Sequence, residues 1–145
     1  MRIYLDNCCY NRPYDDQSQL RISLESQAKL EIQTKIKNGE IELATSYMTF
    51  YENSENPYEM RRTNILDFQE QNATVHLSSD SDDAISRKAA EIETTGIKHK
   101  DACHVACAIY TGCDYFLTTD DRLLKYKTDE ISIMSPIEFI NEMEG

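Results

Sequence analysis

The stretch RIYLDN places Asp6 directly after a short apolar run, Ile3, Tyr4 and Leu5, that predicts a first strand about four residues long. Ligands in open α/β sheets bind beyond the carboxyl ends of strands, so a carboxylate at this point is a helix cap or part of a site. Three further acids stand at comparable borders. Glu52 closes the largely apolar SYMTFYE, Asp101 precedes a run of small apolar residues in KDACHVACAI, and Asp120, with Asp121 beside it, follows DYFLTT. Singly, each has an ordinary role: Asp101 and Asp120 suit helix amino termini, and Glu52 suits a surface. Together they are four charges bordering buried elements, without four matching cations nearby in sequence. A divalent cation would satisfy them, because hard ions such as Mg²⁺ take oxygen ligands.

The other chemistry-bearing residues point less far. Cys8, Cys9, Cys103, Cys107 and Cys113 are odd in number and lack the spacing of a secreted disulfide framework, which predicts a reducing compartment. Cys103 and Cys107 lie one helical turn apart around His104, but no Cys-x-x-Cys pair accompanies them. Core packing is the expectation for both, and His104 is expected as a packed residue on its helix. The net charge of −11 excludes a broad basic surface that grips nucleic acid through many phosphates, though not a local contact.

The 145 residues fit a single domain, 1–145, in which one site is sought. No run approaches the roughly 18 apolar residues of a membrane span, and no signal peptide is legible, so the expectation is a soluble, cytoplasmic protein without membrane contact. The apolar spacing predicts a helix from about Leu20 to Lys37 after a polar loop, NRPYDDQSQ. EIELATS reads as the second strand and YMTFYEN as a short helix; Asn56, Pro57 and Glu59 read as a helix start with Asn at the cap. ATVHL is the third strand, followed by a helix through Ala84, Ile85, Ala89 and Ile92. KHKDACHVACAIYTG is a helix ended by Gly112, CDYFLTT the fourth strand, DDRLLKY a short helix and ISIM the fifth strand. Ser135, Pro136 and Glu138 then open a last helix. Strands alternating with helices predict a mainly parallel sheet wrapped on both faces, a three-layer α/β/α sandwich.

On IYLD, SYMTFYE and KDACHVACAIYTGCDYFLTTDDRLL, and on the helical spacing between them, nearly the whole chain resembles the PIN-domain family of metal-dependent nucleases. The resemblance implies a PIN-like fold and a pocket of acids that binds Mg²⁺ or Mn²⁺ and hydrolyses RNA as an endoribonuclease. The family's four acidic positions carry over to Asp6, Glu52, Asp101 and Asp120, as catalytic and metal-binding residues, and Thr118 falls on the threonine two positions before the last acid. Asp6 and Asp101 are expected as direct ligands, Asp120 as direct or through water, and Glu52 as a ligand of a second ion or the group orienting the attacking water. Two departures stand out: Cys8 replaces the usual polar residue two positions after the first acid, with Asn7 beside it, and Leu123 replaces a phenylalanine. Asp121 remains an alternative to Asp120.

A phosphodiester needs donors as well as a cation. Arg12, Arg61, Arg62, Lys98, Lys100, Arg122 and Lys125 flank the acidic corners, and Tyr10, Tyr14, Tyr51 and Tyr58 offer faces for unpaired bases. Asn7, Arg12, Thr118 and Asp121 are the substrate-contact candidates. A phosphoaspartyl phosphatase would want Asp-x-Asp where LDNCC stands, and a receiver domain an acid pair and a late lysine that ATVHLSSD and ISIMSP do not supply. The alternative within the family is a catalytically inert PIN-like module that binds RNA or protein. Size and isolation resemble the toxin of a toxin–antitoxin pair, with an antitoxin protein and a second copy of the chain as expected partners.

Overall fold

A computed structural model describes residues 1–144. Its centre is a five-stranded sheet in the order β3-β2-β1-β4-β5, formed by β1 (Arg2–Leu5), β2 (Glu42–Ser46), β3 (Ala73–Leu77), β4 (Tyr115–Leu117) and β5 (Ser132–Met134). Every pairing is parallel, with Ile3 opposite Leu43 on one side and Tyr115 on the other. Helices cover both faces, so the expected three-layer α/β/α sandwich is what the chain forms. Alternation along each strand divides the core in two. Ile3, Leu5, Leu43 and Leu117 face one layer with Ile32, Ile36, Phe68 and Phe139, while Tyr4, Ala44 and Phe116 face the other with Ile85, Ala89, Val105 and Ala106.

The helices are α1 (Asn7–Asn11), α2 (Leu20–Lys37), α3 (Tyr47–Ser54), α4 (Glu59–Asn72), α5 (Asp82–Glu93), α6 (His99–Tyr110), α7 (Asp121–Leu124) and α8 (Pro136–Glu144). The predicted bounds of α2 hold, with Leu20 and Leu24 lying exposed while Ala28, Ile32 and Ile36 are buried. Two expectations are corrected. A helix not predicted from the sequence, α1, fills the residues between β1 and the polar loop NRPYDDQSQ, because Asp6 caps it through the amide of Asn7, and the loop itself opens with a 3₁₀ turn at Arg12–Tyr14, whose first positions Pro13 suits. The Asn56-Pro57 signal lies ahead of its helix: the Asn56 side chain accepts from the amide of Tyr58, a local turn, and α4 starts at Glu59. At α8 the predicted capping box forms, Glu138 N–H to Ser135 Oγ at 3.1 Å and Ser135 N–H back to Glu138 Oε1 at 3.3 Å.

What positions a site is the strand order. The chain runs outward from β1 through β2 to β3, then returns to the other side of β1 for β4 and β5. The crevice of such a sheet opens where that direction reverses, beyond the carboxyl ends of β1 and β4. Asp6 follows β1, and Thr118 to Asp120 follow β4.

Candidate active site

Four elements deliver the predicted acids to one cleft of about 510 Å³ at those strand ends, lined by Asp6, Glu52, Asp101 and Asp120. Asp6 comes from the β1–α1 corner, Glu52 from the second turn of α3, Asp101 from the first turn of α6 and Asp120 from the corner after β4. Each corner is held by a local bond. The Asn7 amide donates to Asp6 Oδ1 at 2.8 Å and Thr118 Oγ donates to Asp6 Oδ2 at 2.8 Å. The Asp120 amide donates to Thr118 Oγ at 3.0 Å, while Asp120 Oδ1 accepts from the Arg122 amide at 2.8 Å. Thr118 thereby ties the first acid to the backbone of the last. One carboxylate both caps α1 and lines the cleft.

The tightest group among the described residues is Asp6, Glu52 and His104, whose ligand atoms lie within 4.8 Å of one another. Asp101 and Asp120 line the same cleft outside that group. His104 is fully buried and bonded at both nitrogens: Nε2 lies 2.6 Å from Glu52 Oε1 and Nδ1 lies 2.8 Å from the Tyr4 hydroxyl. Tyr4 also meets Ser46 Oγ at 2.8 Å, and Ser46 Oγ accepts the amides of Met48 and Thr49 at the start of α3. One assignment uses every hydrogen once: Ser46 donates to Tyr4, Tyr4 to Nδ1 and Nε2–H to Glu52. In that assignment His104 orients Glu52 and leaves the oxygen ligands to the acids. His104 is buried on its helix, as the sequence predicts, and also reaches Glu52; its position three residues after Asp101, on the same face of α6, is the sequence signal for that second role.

Electrostatics mark the cleft as strained by its own charge. Burial pushes the Asp6 carboxyl above the ordinary carboxylate range, with the charge of Glu52 adding to the shift and Thr118 opposing it. Burial likewise raises Asp101, reinforced by Asp6 and Asp120. Burial works the same way on Glu52, but the hydrogen bond and charge of His104 outweigh it, so that carboxylate sits below its usual value. Clustered oxygen donors that raise one another's proton affinity are a set that a hard divalent ion would satisfy.

The remaining candidates separate. Asn7 lines the cleft with Cys8, whose thiol lies 3.5 Å from Asp6 Oδ2 and accepts the Thr119 amide. Arg12 lies elsewhere, its guanidinium held by Glu25 at 2.9 Å and Asp15 at 3.1 Å. Asp121 is exposed and paired with Arg21 at 2.8 Å, so of the two neighbours Asp120 is the one at the cleft. Tyr10 is buried and has no face for a base. Arg61 and Tyr58 do reach the cleft, the Arg61 guanidinium stacked 4.5 Å over the Tyr58 ring and 5.4 Å from that of Tyr14. Cys103 and Cys107 are buried core residues of α6.

Comparison with solved structures finds this fold in a chain of VapBC2 from Rickettsia felis, bound to a DNA fragment from their promoter. The TM-score is 0.55 at 15% identity, over 92% of this chain and 97% of that one. A chain of FitAcB from Neisseria gonorrhoeae aligns with a TM-score of 0.51 at 17% identity, over 92% and 97%. The sequence itself matches no family model and no curated protein. No helix among the described residues is long and apolar enough to cross a membrane.

Proposed function

We propose that this chain, which has a PIN-like fold, is a metal-dependent endoribonuclease. The observation that carries the reading is the convergence of Asp6, Glu52, Asp101 and Asp120 on one cleft at the switch point of the sheet. Asp6 and Asp101 hold Mg²⁺ or Mn²⁺, with Asp120 completing the set directly or through water. When bound, such an ion neutralises phosphate charge and lowers the pKa of a coordinated water. Glu52, fixed by His104, is placed to orient the attacking water and take up its proton. Thr118 keeps the Asp6 carboxylate turned into the cleft. Tyr58 and Arg61 stand at the rim, an aromatic face and a cation suited to an unpaired base and its phosphate. Single-stranded RNA is therefore the substrate class. The likeness to VapBC2 and FitAcB supports a finer reading, the toxin of a toxin–antitoxin pair that also binds an antitoxin protein; a homodimer is proposed on the family resemblance alone.

The test combines melting temperature in EDTA, Mg²⁺ and Mn²⁺ with cleavage of a single-stranded RNA, for the native chain, Asp6→Asn and Asp101→Asn. Metal raises the native midpoint and supports cleavage, while both variants lose the two effects. In EDTA, Asp101→Asn melts no lower than the native chain, because removing one of the mutually repelling carboxylates relieves the cleft. Metal-dependent stabilisation without cleavage of any RNA would transfer the chain to the inert binding class, and no metal effect at all would sink the site.

A further inference from the structure

A second cleft, of about 360 Å³, lies between α2 and α4 and shares no lining residue with the acidic one. Lys29, Gln33 and Lys37 stand on successive turns of α2 along one wall. Phe68, Asn64 and Asp67 of α4 form the other, with Tyr10 between. Lys29 is 5% exposed, and its ammonium group donates to Gln33 Oε1 at 2.6 Å. Its other two protons have aromatic faces only, the Tyr10 ring at 5.7 Å and the Phe68 ring at 5.3 Å. The Lys37 ammonium lies 5.9 Å from the same Phe68 ring. Neither lysine has a carboxylate within 4.0 Å among the described residues, although the chain carries 26 acids against 15 basic residues and Asp67 stands on the opposite wall. The buried Tyr10 hydroxyl and the neighbouring Gln69 amide make no hydrogen bond of ordinary geometry. Burial pulls the Lys29 ammonium down from the ordinary 10.5 to about 8, and Lys37 adds repulsion.

Two unpaired ammonium groups that repel each other, one of them buried with protons to spare, are the complement of a missing anion. We propose that this cleft binds the oxyanion group of a small ligand, a phosphate or a carboxylate, between Lys29 and Lys37. The oxyanion accepts from both ammonium groups. Asp67, at the exposed edge, disfavours a highly charged ligand and favours one that presents a single anionic group. The site stands apart from the proposed nuclease cleft and does not depend on a metal.

The experiment is a titration of the melting temperature with inorganic phosphate and, separately, with acetate, in EDTA and at constant ionic strength. The proteins are the native chain, Lys29→Met, Lys37→Gln and Asp101→Asn. The expected result is a saturable rise of roughly 5 °C in the native chain with one of the two anions. The same rise occurs in Asp101→Asn, is absent in Lys29→Met, and needs about tenfold more anion in Lys37→Gln. The anion that produces the rise assigns the ligand as phosphate or carboxylate. Should Lys29→Met fail to fold, Lys37→Gln, altered only at an exposed side chain, decides alone. No saturable rise with either anion, or an equal rise in the lysine variants, overturns the site; loss of the rise in Asp101→Asn would move it to the acidic cleft and also overturn it.

Discussion

His104 shows how one buried residue decides the behaviour of a neighbouring carboxylate. With Nδ1 taken by Tyr4 and Nε2 by Glu52, the imidazole cannot turn, and Glu52 inherits that rigidity. His104→Ala should therefore lower metal-dependent RNA cleavage by roughly 10–100-fold while leaving a folded chain, because partners of this kind tune a site without holding it together. His104→Gln, which keeps a donor for Glu52, should recover part of the loss; equal activity in all three proteins would remove Glu52 orientation from the mechanism. Lys29 supplies a residue-scale test of another kind. Its pKa is lower in the folded chain than in the unfolded one, so between about 8 and 10.5 the unfolded chain binds more protons and folding stability rises with pH. Below about 8 the full penalty of holding a buried charge is present. Measured by denaturant unfolding, the native chain should gain about 3 kcal/mol relative to Lys29→Met between pH 7.5 and 10.5. A pH-independent difference would show that the amine is already solvated.

At the scale of elements, α3 joins fold to site through Ser46. This residue ends β2, accepts the Met48 and Thr49 amides as the helix cap, and donates into the Tyr4–His104–Glu52 chain. Ser46→Ala should cost about 1–2 kcal/mol for the lost cap, seen as a lower melting temperature, and should also reduce cleavage although Ser46 lies outside the cleft. Ser135→Ala, which breaks the corresponding cap of α8, should cost a similar amount and leave cleavage unchanged; parallel effects on activity would deny Ser46 its special link. These elements were unequally legible in the sequence. α2 and β3 stood out with correct bounds, since i+4 spacing and a β-branched run are local signals. α1 did not, because Asn-Cys-Cys-Tyr-Asn has no helical pattern of its own and exists through the Asp6 cap and the burial of Cys9 and Tyr10. The start of α4 was read early because an Asx turn and a helix cap use the same residue types. The acids were legible as charges bordering apolar elements, two of them at strand ends, whereas the Tyr4–His104–Glu52 chain joins residues up to 100 positions apart and only the fold reveals it.

The whole molecule is acidic, and that constrains how the proposed substrate, RNA, would be held. A net charge of −11 repels a polyanion, so long-range steering is absent and attraction must be local. Arg61 lines the acidic cleft and Lys100 stands near enough to Glu52 to bear on its ionisation, which leaves about two protein cations for phosphates. Counterion release then predicts a shallow dependence of binding on salt, with log affinity falling against log salt at a slope of about −1 to −2 for single-stranded RNA. Binding measured with Asp120→Asn at fixed Mg²⁺, to slow cleavage, should show that slope, and Arg61→Ala should flatten it by about 0.7 while weakening affinity. EDTA should abolish binding, since without a divalent ion the four carboxylates face the phosphate uncompensated. A slope near −5 or steeper would mean that several more cations meet the RNA than the cleft provides, and would place the RNA path on another face of the molecule.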